Sequence, residues 1–421
     1  MKIVMFTDSY WPRINGVSVS VESFASALIK LDHQVLIICP YYPESPTQTS
    51  FAKGVHGSTA QSDSSPHGIP ESSIIRVPSL PLPISDEDRI SKSHKLFWVS
   101  KQIDKFMPDI IHVHSEFVTA DFGYYCARVH KIPAIYTYHT LWGDYMKNYI
   151  PWAPLFILKF ILWVVESTSF RRPYRIIVPS EVILDYARKY RSRKPPYLLP
   201  TGIDDKIFYP RTETENANFR KSMENMYPAL KQKRILLYAG RVGKEKNLEL
   251  ILRAAVKIVK EQDDVIFLIV GSGPDIYGFK EECETLNLMN YFVFTGYLER
   301  SLLAGAYCIS KIFIFPSITE TQGLVTIEAM LSGIPVVAVG ERGTLMVMRG
   351  DNGGFMVPND ENMFARRILD LLKDEDLYRK KASEALLYGK KWTMDVMVKR
   401  LENIYTEVIA DYKKEREQKK R

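Results

Sequence analysis

The sequence predicts an α/β protein built from two doubly wound parallel sheets, one in each half of the chain. Apolar runs rich in β-branched residues recur along the sequence, and stretches with helical periodicity lie between them. Runs of this kind are typical of parallel strands that helices cover on both faces. Each half holds about six of them, which is enough for a complete doubly wound domain. A length of 421 residues also fits two domains better than one.

The predicted strands divide the chain in two. In the first half they are Ile3–Phe6, Val35–Cys39, Ile74–Val77, Ile110–Val113, Ala134–Tyr138, Ile176–Val178 and Tyr197–Leu199. In the second half they are Ile235–Tyr238, Val265–Val270, Phe292–Phe294, Ile312–Phe315, Pro335–Val339 and Gly354–Val357. Pro200, Gly202 and Pro210 interrupt the pattern between the halves. We therefore predict domains over residues 1–203 and 204–391.

The composition is that of an ordinary globular protein and leaves the class of partner open. Hydrophobic residues make up 46% and charged residues 25% of the chain, and the net charge is +7. A basic balance is compatible with phosphate ligands, nucleic acid or an anionic membrane surface. The four cysteines form no C-x-x-C pair, so neither disulfides nor a metal role is expected, and a reducing compartment fits.

Three segments outside the strands have a distinctive composition. Residues 44–73 are rich in Ser, Thr, Gly and Pro, which predicts a mobile surface loop. The run Ile150–Val165 is strongly hydrophobic but shorter than the ~20 residues that span a bilayer. It is either a helix buried against a sheet or a membrane-surface helix with tryptophans and basic residues at headgroup level. Residues 392–412 predict a long amphipathic helix, and a basic tail follows over 413–421.

The most informative segment runs from Ser317 to Gly333. A predicted strand ends just before it, a loop carries Glu320, and a helix-like run with Glu328 on its second turn follows Gly323. Free N–H groups and the helix dipole make such a helix N-terminus a site for a phosphate. A carboxylate beside it can accept hydrogen bonds from sugar hydroxyls. One short segment could therefore hold both halves of a nucleotide sugar.

Other candidates in the second half also follow predicted strands. Arg241 and Lys246 lie just past a strand end, where open α/β sheets place ligands, and two cations suit a diphosphate. Gly296 and Tyr297 follow another strand, and their backbone could meet a nucleobase edge. The run Gly271–Gly273 is explained at least as well by a tight strand-to-helix turn as by ligand contact.

The candidates in the first half are a glycine turn and three histidines. Gly16 lets the backbone approach a ligand closely, but the three-glycine dinucleotide fingerprint is missing, so NAD binding has little support. His112, His114 and His139 fall at predicted strand ends, on the ligand side of the sheet. No third metal ligand is evident for the His-x-His pair, so packing or hydrogen bonding is favoured over metal binding. The acidic run Asp86–Asp88 lies in a predicted polar loop and resembles a metal-binding D-x-D only weakly.

Together these residues resemble the retaining GT-B glycosyltransferases of family 4. The spaced Glu320 and Glu328, the Gly240-Arg241 segment with Lys246, the Gly16 turn and the Leu199–Asp204 junction occur in the family's order. Within the family, the chain looks most like bacterial diacylglycerol glycosyltransferases, of the 1,2-diacylglycerol 3-glucosyltransferase or monoglycosyldiacylglycerol synthase type. The residues that carry this likeness are Ser115–Phe117, Tyr138–Thr140, Asp144-Tyr145, Tyr149-Ile150 and Glu320–Leu324, whereas Val118–Asp121 departs from the branch's usual pattern.

The resemblance implies two Rossmann-like domains that face an interdomain cleft. The N-terminal domain would bind the acceptor, the C-terminal domain would bind the nucleotide sugar, and the helix over 392–412 would pack back on the first domain. The donor-binding residues that it implies are Gly16, Arg241, Lys246, Gly296, Tyr297, Glu320, Thr321, Gln322, Gly323, Leu324 and Glu328. Glu320 would bind hydroxyls of the donor sugar, and Glu328 would bind the ribose. The implied catalytic residues are His139, which would touch the sugar near the reacting carbon, Glu320, Arg241 and Lys246.

The implied activity is the transfer of glucose or galactose from a UDP-sugar to a lipid, most simply 1,2-diacylglycerol, with retention of the anomeric configuration. The expected acceptor-binding residues are Tyr10, Trp11, His114, Glu116, Tyr138, Trp142 and Tyr145. No metal or other cofactor is expected, because Arg241 and Lys246 would neutralise the leaving diphosphate. The protein is expected to act peripherally at the cytoplasmic face of the cell membrane, on an anionic surface and without nucleic acid.

Several alternatives stay open at this point. A family 4 enzyme could instead act on a polyprenyl-linked or cell-surface glycan or on phosphatidylinositol, and a nucleotide-sugar epimerase shares the fold. A basic membrane-surface or nucleic-acid-binding protein is a non-enzymatic alternative, although the interleaved basic and aromatic pattern of a nucleic-acid module is missing. No second carboxylate suits a covalent double displacement, so we expect front-face attack with the departing phosphate as base.

Overall fold

The computed structural model describes residues 1–13, 15–42, 68–82, 85–139, 154–190, 192–320, 322–341 and 343–419. They form two compact units. Unit 1 comprises Met1–Gly202 together with the residues from Met397 onward, and unit 2 comprises Ile203–Val396. Each unit is an α/β domain with its own parallel sheet, which confirms the predicted fold class of two Rossmann-like domains.

Unit 1 contains a seven-stranded parallel sheet and a separate antiparallel strand pair. Its strands, numbered β1 to β9 in chain order, are Lys2–Phe6, Gln34–Pro40, Ile74–Val77, Ser79–Leu82, Ser85–Ser91, Ile110–Val113, Ala134–Thr137, Arg175–Val178 and Tyr197–Leu198. The sheet order is β3-β2-β1-β6-β7-β8-β9, and β4 pairs with β5. The predicted polar loop at Asp86–Asp88 was wrong, since these residues belong to strand β5.

The helices of unit 1 connect these strands and cover the sheet. In chain order, α1 to α5 are Gly16–Lys30, Ser93–Phe106, Val118–His130, Leu155–Arg171 and Glu181–Arg188. The first begins at a capping box, in which the Asn15 side chain accepts a hydrogen bond from the Ser18 N–H and the Ser18 hydroxyl lies 2.9 Å from the Asn15 N–H. The Asp8 carboxylate, at the end of β1, accepts hydrogen bonds from the N–H groups of Phe117 and Thr119 at the start of α3.

Unit 2 is a six-stranded parallel sheet with helices between its strands. Its strands, β10 to β15, are Arg234–Ala239, Val265–Val270, Phe292–Gly296, Ile312–Phe315, Val336–Val339 and Gly354–Val357. Its helices, α6 to α13, are Glu213–Met226, Glu249–Glu261, Ile276–Thr285, Arg300–Cys308, Leu324–Leu331, Gly343–Val347, Glu361–Lys373 and Glu375–Gly389. The sheet order is β12-β11-β10-β13-β14-β15, so the first strand of the unit lies near the middle.

The last helix, α14, spans Met394–Gln418 and passes from unit 2 into unit 1. Within unit 1, Glu402 pairs with the ring of His33 at 3.0 Å, and Asp411 pairs with Arg175 at 2.8 Å. The basic stretch after residue 412 continues this helix as far as Gln418.

Two segments that the sequence analysis singled out, the polar stretch 44–73 and the hydrophobic run Ile150–Val165, are only partly described. Of residues 44–73, the structure describes those from Gly68 onward, and of Ile150–Val165 it describes those from Pro154 onward. From Leu155 onward the latter run forms helix α4, which extends to Arg171. Within the described part of the chain, no helix is both long and apolar enough to cross a membrane.

The turn after β11 is tightly packed against the loop that follows β10. Gly271 has φ +129°, and a Cβ atom at this position would lie 1.9 Å from the Gly240 carbonyl oxygen. A Cβ atom at Gly273 would lie 2.1 Å from the Val242 carbonyl oxygen. Both positions therefore require glycine for a structural reason, because two backbone segments approach each other closely there.

We expect Gly271→Ala to lower the free energy of unfolding of unit 2 by about 3 kcal/mol, because the new methyl group clashes with a carbonyl and the backbone angle disfavours alanine. Urea unfolding followed by circular dichroism measures this change. The matched control is Gly278→Ala within helix α8, where no atom lies within 4 Å of the added Cβ. That variant should be as stable as the wild type or more stable by up to ~1 kcal/mol. Equal stability of the two variants would contradict the packing argument.

Candidate active site

The donor-site candidates of unit 2 gather at one edge of its sheet. The loops after β10, β11, β12 and β13 carry Gly240–Lys246, Gly271–Gly273, Gly296–Tyr297 and Ser317–Gly323. Because these strands are parallel, their carboxyl ends meet at the same edge, where open α/β sheets bind ligands. Gly16 is the one predicted donor-binding residue that belongs to unit 1.

An ion pair joins two of these loops. The Lys246 ammonium nitrogen lies 2.8 Å from Oε2 of Glu320, and the two side chains are 20% and 21% exposed. The backbone holds the carboxylate in place, because the Glu320 carbonyl accepts a hydrogen bond from the Gly343 N–H at 2.9 Å. Arg241 is freer, with a 63% exposed side chain that approaches Glu245 only to 4.0 Å. The loops at this edge thus offer an exposed guanidinium and, separately, a paired ammonium and carboxylate.

A helix N-terminus lies next to this ion pair in the chain. Gly323 adopts φ 72° and ψ 41°, a left-handed conformation that favours glycine, and helix α10 begins at the following residue. Among the described residues no side-chain hydrogen bond caps this helix, and the Thr326 N–H is bonded to the Gly323 carbonyl at 3.0 Å. The N–H groups of Leu324 and Val325 are therefore the ones that a ligand could meet. Gln322 is buried and Leu324 is half-buried. Thr321 lies outside the described residues.

Glu328 lies on the second turn of α10 and is 9% exposed. The Tyr307 hydroxyl donates a hydrogen bond to its Oε2 at 3.2 Å, and an Arg300 nitrogen lies 3.9 Å from Oε1. Burial raises the pKa of this carboxyl above its usual value, although Arg300 and Tyr307 oppose the shift. On the neighbouring loop, Tyr297 is largely exposed, and the Gly296 carbonyl accepts a hydrogen bond from the turn after β11.

In unit 1, three histidines meet at the carboxyl ends of β6 and β7. Nδ1 of His114 lies 3.0 Å from Nε2 of His139, and the rings of His112 and His114 are 3.9 Å apart. His112 is anchored by the hydroxyls of Tyr405 on α14 and Thr137 on β7, each at 2.6 Å. The sequence predicted these histidines at strand ends. That they contact one another, and that His112 is hydrogen-bonded to α14, became evident only from the fold.

Burial keeps this histidine cluster neutral. It lowers the pKa of His139 to about 4, and it lowers the pKa values of His112 and His114 well below their usual range. At neutral pH the three rings therefore act as hydrogen-bond donors and acceptors rather than as cations. His139 is half-buried, whereas the other two are buried, so His139 is the ring that a ligand can reach.

The predicted acceptor-binding residues differ in accessibility. Tyr10 is fully buried, and its hydroxyl donates to the Glu22 carboxylate inside unit 1. Tyr138 is also fully buried, and its hydroxyl donates to Glu166 at 2.7 Å. Glu116 is half-buried and accepts a hydrogen bond from the Tyr136 hydroxyl.

The remaining unit 1 candidates lie at the first loop or outside the described residues. The Trp11 carbonyl accepts a hydrogen bond from Arg76 at 2.7 Å, which ties this loop to β3. Gly16 is exposed at the start of α1, and no atom lies within 4 Å of where a Cβ would be. Trp142 and Tyr145 are outside the described residues. The binding roles of all these residues stay predictions.

Sequence reasoning missed two charged residues at these sites. Arg300, on α9, approaches Glu328, and only the fold brings it there. Glu166 is a buried carboxylate in α4, and its one sequence signal is an acid that directly follows the hydrophobic run Ile150–Val165. Among the described residues, no group of three or more His, Cys, Asp or Glu side chains is arranged to hold a metal ion.

Two α/β units, each with a parallel sheet and with charged and hydrogen-bonding residues at its strand ends, are the architecture of a GT-B glycosyltransferase. Comparison with known proteins supports this assignment. Residues 14–206 match the model described as Glycosyltransferase Family 4, and residues 220–387 match Glycosyl transferases group 1. The HepE protein of Anabaena, solved in complex with UDP-glucose, superposes with a TM-score of 0.72 at 15% identity, covering 97% of this chain and 100% of that one. This similarity concerns the fold alone.

Three curated relatives show which members of the family the chain is similar to. The chain is 31% identical to the alpha-monoglucosyldiacylglycerol synthase of Streptococcus pneumoniae over 343 residues, covering 81% of this chain and 71% of the relative. It is 24% identical to the protein of the same name from Acholeplasma laidlawii over 417 residues, covering 97% and 98%. It is 25% identical to a GDP-mannose-dependent alpha-mannosyltransferase of Corynebacterium glutamicum, covering 97% and 90%. The chain belongs to glycosyltransferase family 4 and is a hexosyltransferase, as the sequence motifs predicted.

Proposed function

We propose that this enzyme transfers glucose or galactose from a UDP-sugar to 1,2-diacylglycerol, with retention of the anomeric configuration. We further propose that it acts as a peripheral protein at the cytoplasmic face of the cell membrane. Two relatives that carry the name alpha-monoglucosyldiacylglycerol synthase support the choice of acceptor. The structural observation that carries the proposal is the exposed apolar face of helix α4.

The outer face of α4 presents large apolar side chains to the surroundings of unit 1. Phe156, Phe160 and Trp163 are 73%, 63% and 55% exposed. They follow one another at helical spacing, so they project from one side of the helix. Three further exposed apolar residues adjoin them, namely Ile157, Ile161 and Val164. A contiguous apolar face of this kind marks an interaction site, and a lipid acceptor favours a membrane surface as its partner.

Basic residues accompany this apolar face. Lys159 lies within it, and Arg171 and Arg172 at the end of α4 are exposed, with Arg172 paired to Asp121 of α3. A cation near an anionic bilayer contributes about 1 kcal/mol to binding. The helix thus combines aromatic side chains for the lipid interface with charges for its headgroups.

The donor site of unit 2 supplies the electrostatics of the reaction. Glu320 accepts hydrogen bonds from hydroxyls of the donor sugar, and Glu328 binds the ribose. Lys246, Arg241 and the amides at the start of α10 stabilise the charge that develops on the leaving UDP. Because these groups carry that charge, we propose that the reaction needs no metal ion.

Retention follows from attack on the face that the leaving group departs from. The bond between the anomeric carbon and the UDP phosphate oxygen breaks, and a bond to the acceptor hydroxyl oxygen forms on the same face. The acceptor proton passes to the departing phosphate oxygen. His139, neutral because its pKa is about 4, hydrogen-bonds the sugar near the reacting carbon. Trapping a covalent sugar on the enzyme would overturn this scheme.

The decisive experiment is incubation of the purified protein with UDP-glucose or UDP-galactose and liposomes that contain diacylglycerol. Mass spectrometry identifies the product lipid, and NMR of the anomeric proton gives its configuration. We expect one α-linked monohexosyl diacylglycerol. GDP-mannose is included as a third donor because one relative is named for it. Transfer from GDP-mannose alone, or to a polyprenyl phosphate and not to diacylglycerol, would refute the proposal.

Replacement of Glu320 or His139 by alanine is expected to lower sugar transfer on the order of 100-fold, because each loses a contact to the reacting sugar. UDP should bind either variant nearly as well as the wild type, which calorimetry with UDP measures. The control is Glu281→Ala, which removes an exposed carboxylate from helix α8. Transfer near the wild-type rate in Glu320→Ala, with UDP still bound, would show that the assigned role is wrong.

The double substitution Phe160→Ser with Trp163→Ser is expected to weaken binding to anionic liposomes at least tenfold, since each buried aromatic side chain contributes about 1.5–3 kcal/mol. Flotation with liposomes of phosphatidylglycerol and phosphatidylcholine measures this partition. Tyr277→Ser, which removes a 77% exposed aromatic residue from unit 2, serves as control. Wild-type binding should also weaken at high salt through screening. Salt-independent attachment would indicate deep insertion of α4 instead.

A further inference from the structure

Helix α4 carries a carboxylate on its inner face, opposite the exposed apolar side chains. Glu166 has no solvent exposure. Its Oε1 accepts a hydrogen bond from the Tyr138 hydroxyl at 2.7 Å and another from the Tyr186 hydroxyl at 3.1 Å. Its Oε2 is buried and has no hydrogen-bond partner among the described residues. Glu166 is therefore a buried acid that is only half satisfied.

Such a group is costly for the fold. Burial raises the pKa of Glu166 to about 7, because the two tyrosine hydroxyls do not replace the hydration of the charged carboxylate. Apolar groups of the same shape in place of the acid and its hydroxyl partners can be equally stable or more stable. Stability alone does not account for an acid at this position, and an incompletely satisfied buried polar group of this kind points to function.

The contacts of Glu166 lead to the end of β7. Tyr138 directly follows that strand and directly precedes His139. The ring of Tyr138 also stacks on Phe170 of α4, with centroids 5.1 Å apart. The inner face of α4 therefore holds this tyrosine through a hydrogen bond and a ring contact. A displacement of α4 would move the backbone that carries His139.

The second tyrosine that donates to Glu166 lies on a different element. Tyr186 lies on α5, and its hydroxyl is also 3.2 Å from that of Tyr190 on the C-terminal side of the same helix. It bonds the same Glu166 oxygen as Tyr138, and its ring lies 6.2 Å from the Tyr138 ring, a contact that Tyr186→Phe leaves in place. The two Tyr→Phe substitutions are therefore matched: one removes the hydroxyl of the residue next to His139, and the other removes a hydroxyl on α5.

We propose that Glu166 is a positioning residue, which acts through Tyr138 to hold the end of β7 with His139 against the inner face of α4. The hydrogen bond between Glu166 and Tyr138 thereby couples the position of the lipid-facing helix to that of the sugar-contacting histidine. This inference rests on the proposed function, since it takes α4 as the lipid-facing surface and His139 as a contact of the donor sugar. It also gives Tyr138 a positioning role in place of direct contact with the acceptor.

The test compares Glu166→Leu, Glu166→Gln, Tyr138→Phe and Tyr186→Phe in the full chain, with the UDP-hexose that the wild type transfers and diacylglycerol liposomes. Glu166→Leu should lower kcat about 10- to 100-fold, as expected for a small misplacement of a reacting group. KM for the donor and for diacylglycerol and liposome binding should stay close to wild type, whereas the melting temperature should fall modestly because two tyrosine hydroxyls lose their acceptor. Glu166→Gln should retain most of kcat, because its amide oxygen still accepts both hydrogen bonds.

The tyrosine pair separates positioning from packing. Tyr138→Phe should lower kcat as Glu166→Leu does, and the double variant should be no worse than either, because both remove one interaction. Tyr186→Phe should keep wild-type kcat. A rise in KM for diacylglycerol in Tyr138→Phe without a fall in kcat would instead support acceptor contact and overturn the inference. So would wild-type kcat in Glu166→Leu, or equal losses in the two tyrosine variants. If Glu166→Leu does not fold, the tyrosine pair decides.

Failure of the proposed acceptor is recognised separately. If the wild type makes no glycosyl diacylglycerol, the proposed function fails, and the same variants are compared by release of UDP from the UDP-hexose in water. That reaction uses His139 and needs no lipid. Slower release in Glu166→Leu and Tyr138→Phe than in Tyr186→Phe supports the positioning role, and equal release overturns it.

Discussion

Burial of the sheet interiors is the constraint on which the rest of the structure depends. In β10, β11 and β13, nearly every residue is excluded from solvent, because helices cover the sheet on both faces. A polar side chain at such a position would lose its hydration without compensation. Polar chemistry is therefore confined to the strand ends. Since the strands are parallel, these ends share one edge, and Lys246 and Glu320 meet there although 74 residues separate them.

The same loss of water sets the protonation states at the strand ends. His139 and its two neighbours stay neutral because their rings are desolvated, and the pKa values of Glu328 and Glu166 rise for the same reason. The Lys246–Glu320 pair keeps a fifth of each side chain exposed and has an opposite charge at 2.8 Å. One unit thus offers neutral hydrogen-bonding groups, whereas the other offers charges. The sugar transfer that we propose would use both kinds of group.

Helix α4 departs in part from the usual amphipathic arrangement, in which apolar residues face the core and charged residues face water. Its exposed face carries Phe156, Phe160 and Trp163, while its buried face carries Glu166. Under the function and the positioning role that we propose, a lipid surface is the apolar partner of the exposed aromatic residues, and the hydrogen bond to Tyr138 gives the buried carboxylate its role beside His139. The two proposals together account for both unusual features of the helix.

The sequence by itself determined the two parallel sheets, the strand-loop-helix at Glu320 to Glu328 and the order of motifs that identifies family 4. These features depend on residues adjacent in the chain, where hydrophobic runs and glycine turns are read directly. Only the tertiary structure decided that Tyr10 and Tyr138 point inward, that Arg300 approaches Glu328, that Tyr405 anchors His112 and that Glu166 accepts a hydrogen bond from Tyr138. The physical reason is that these contacts depend on which distant groups share one water-free interior. The spacing of residues along the chain does not specify that.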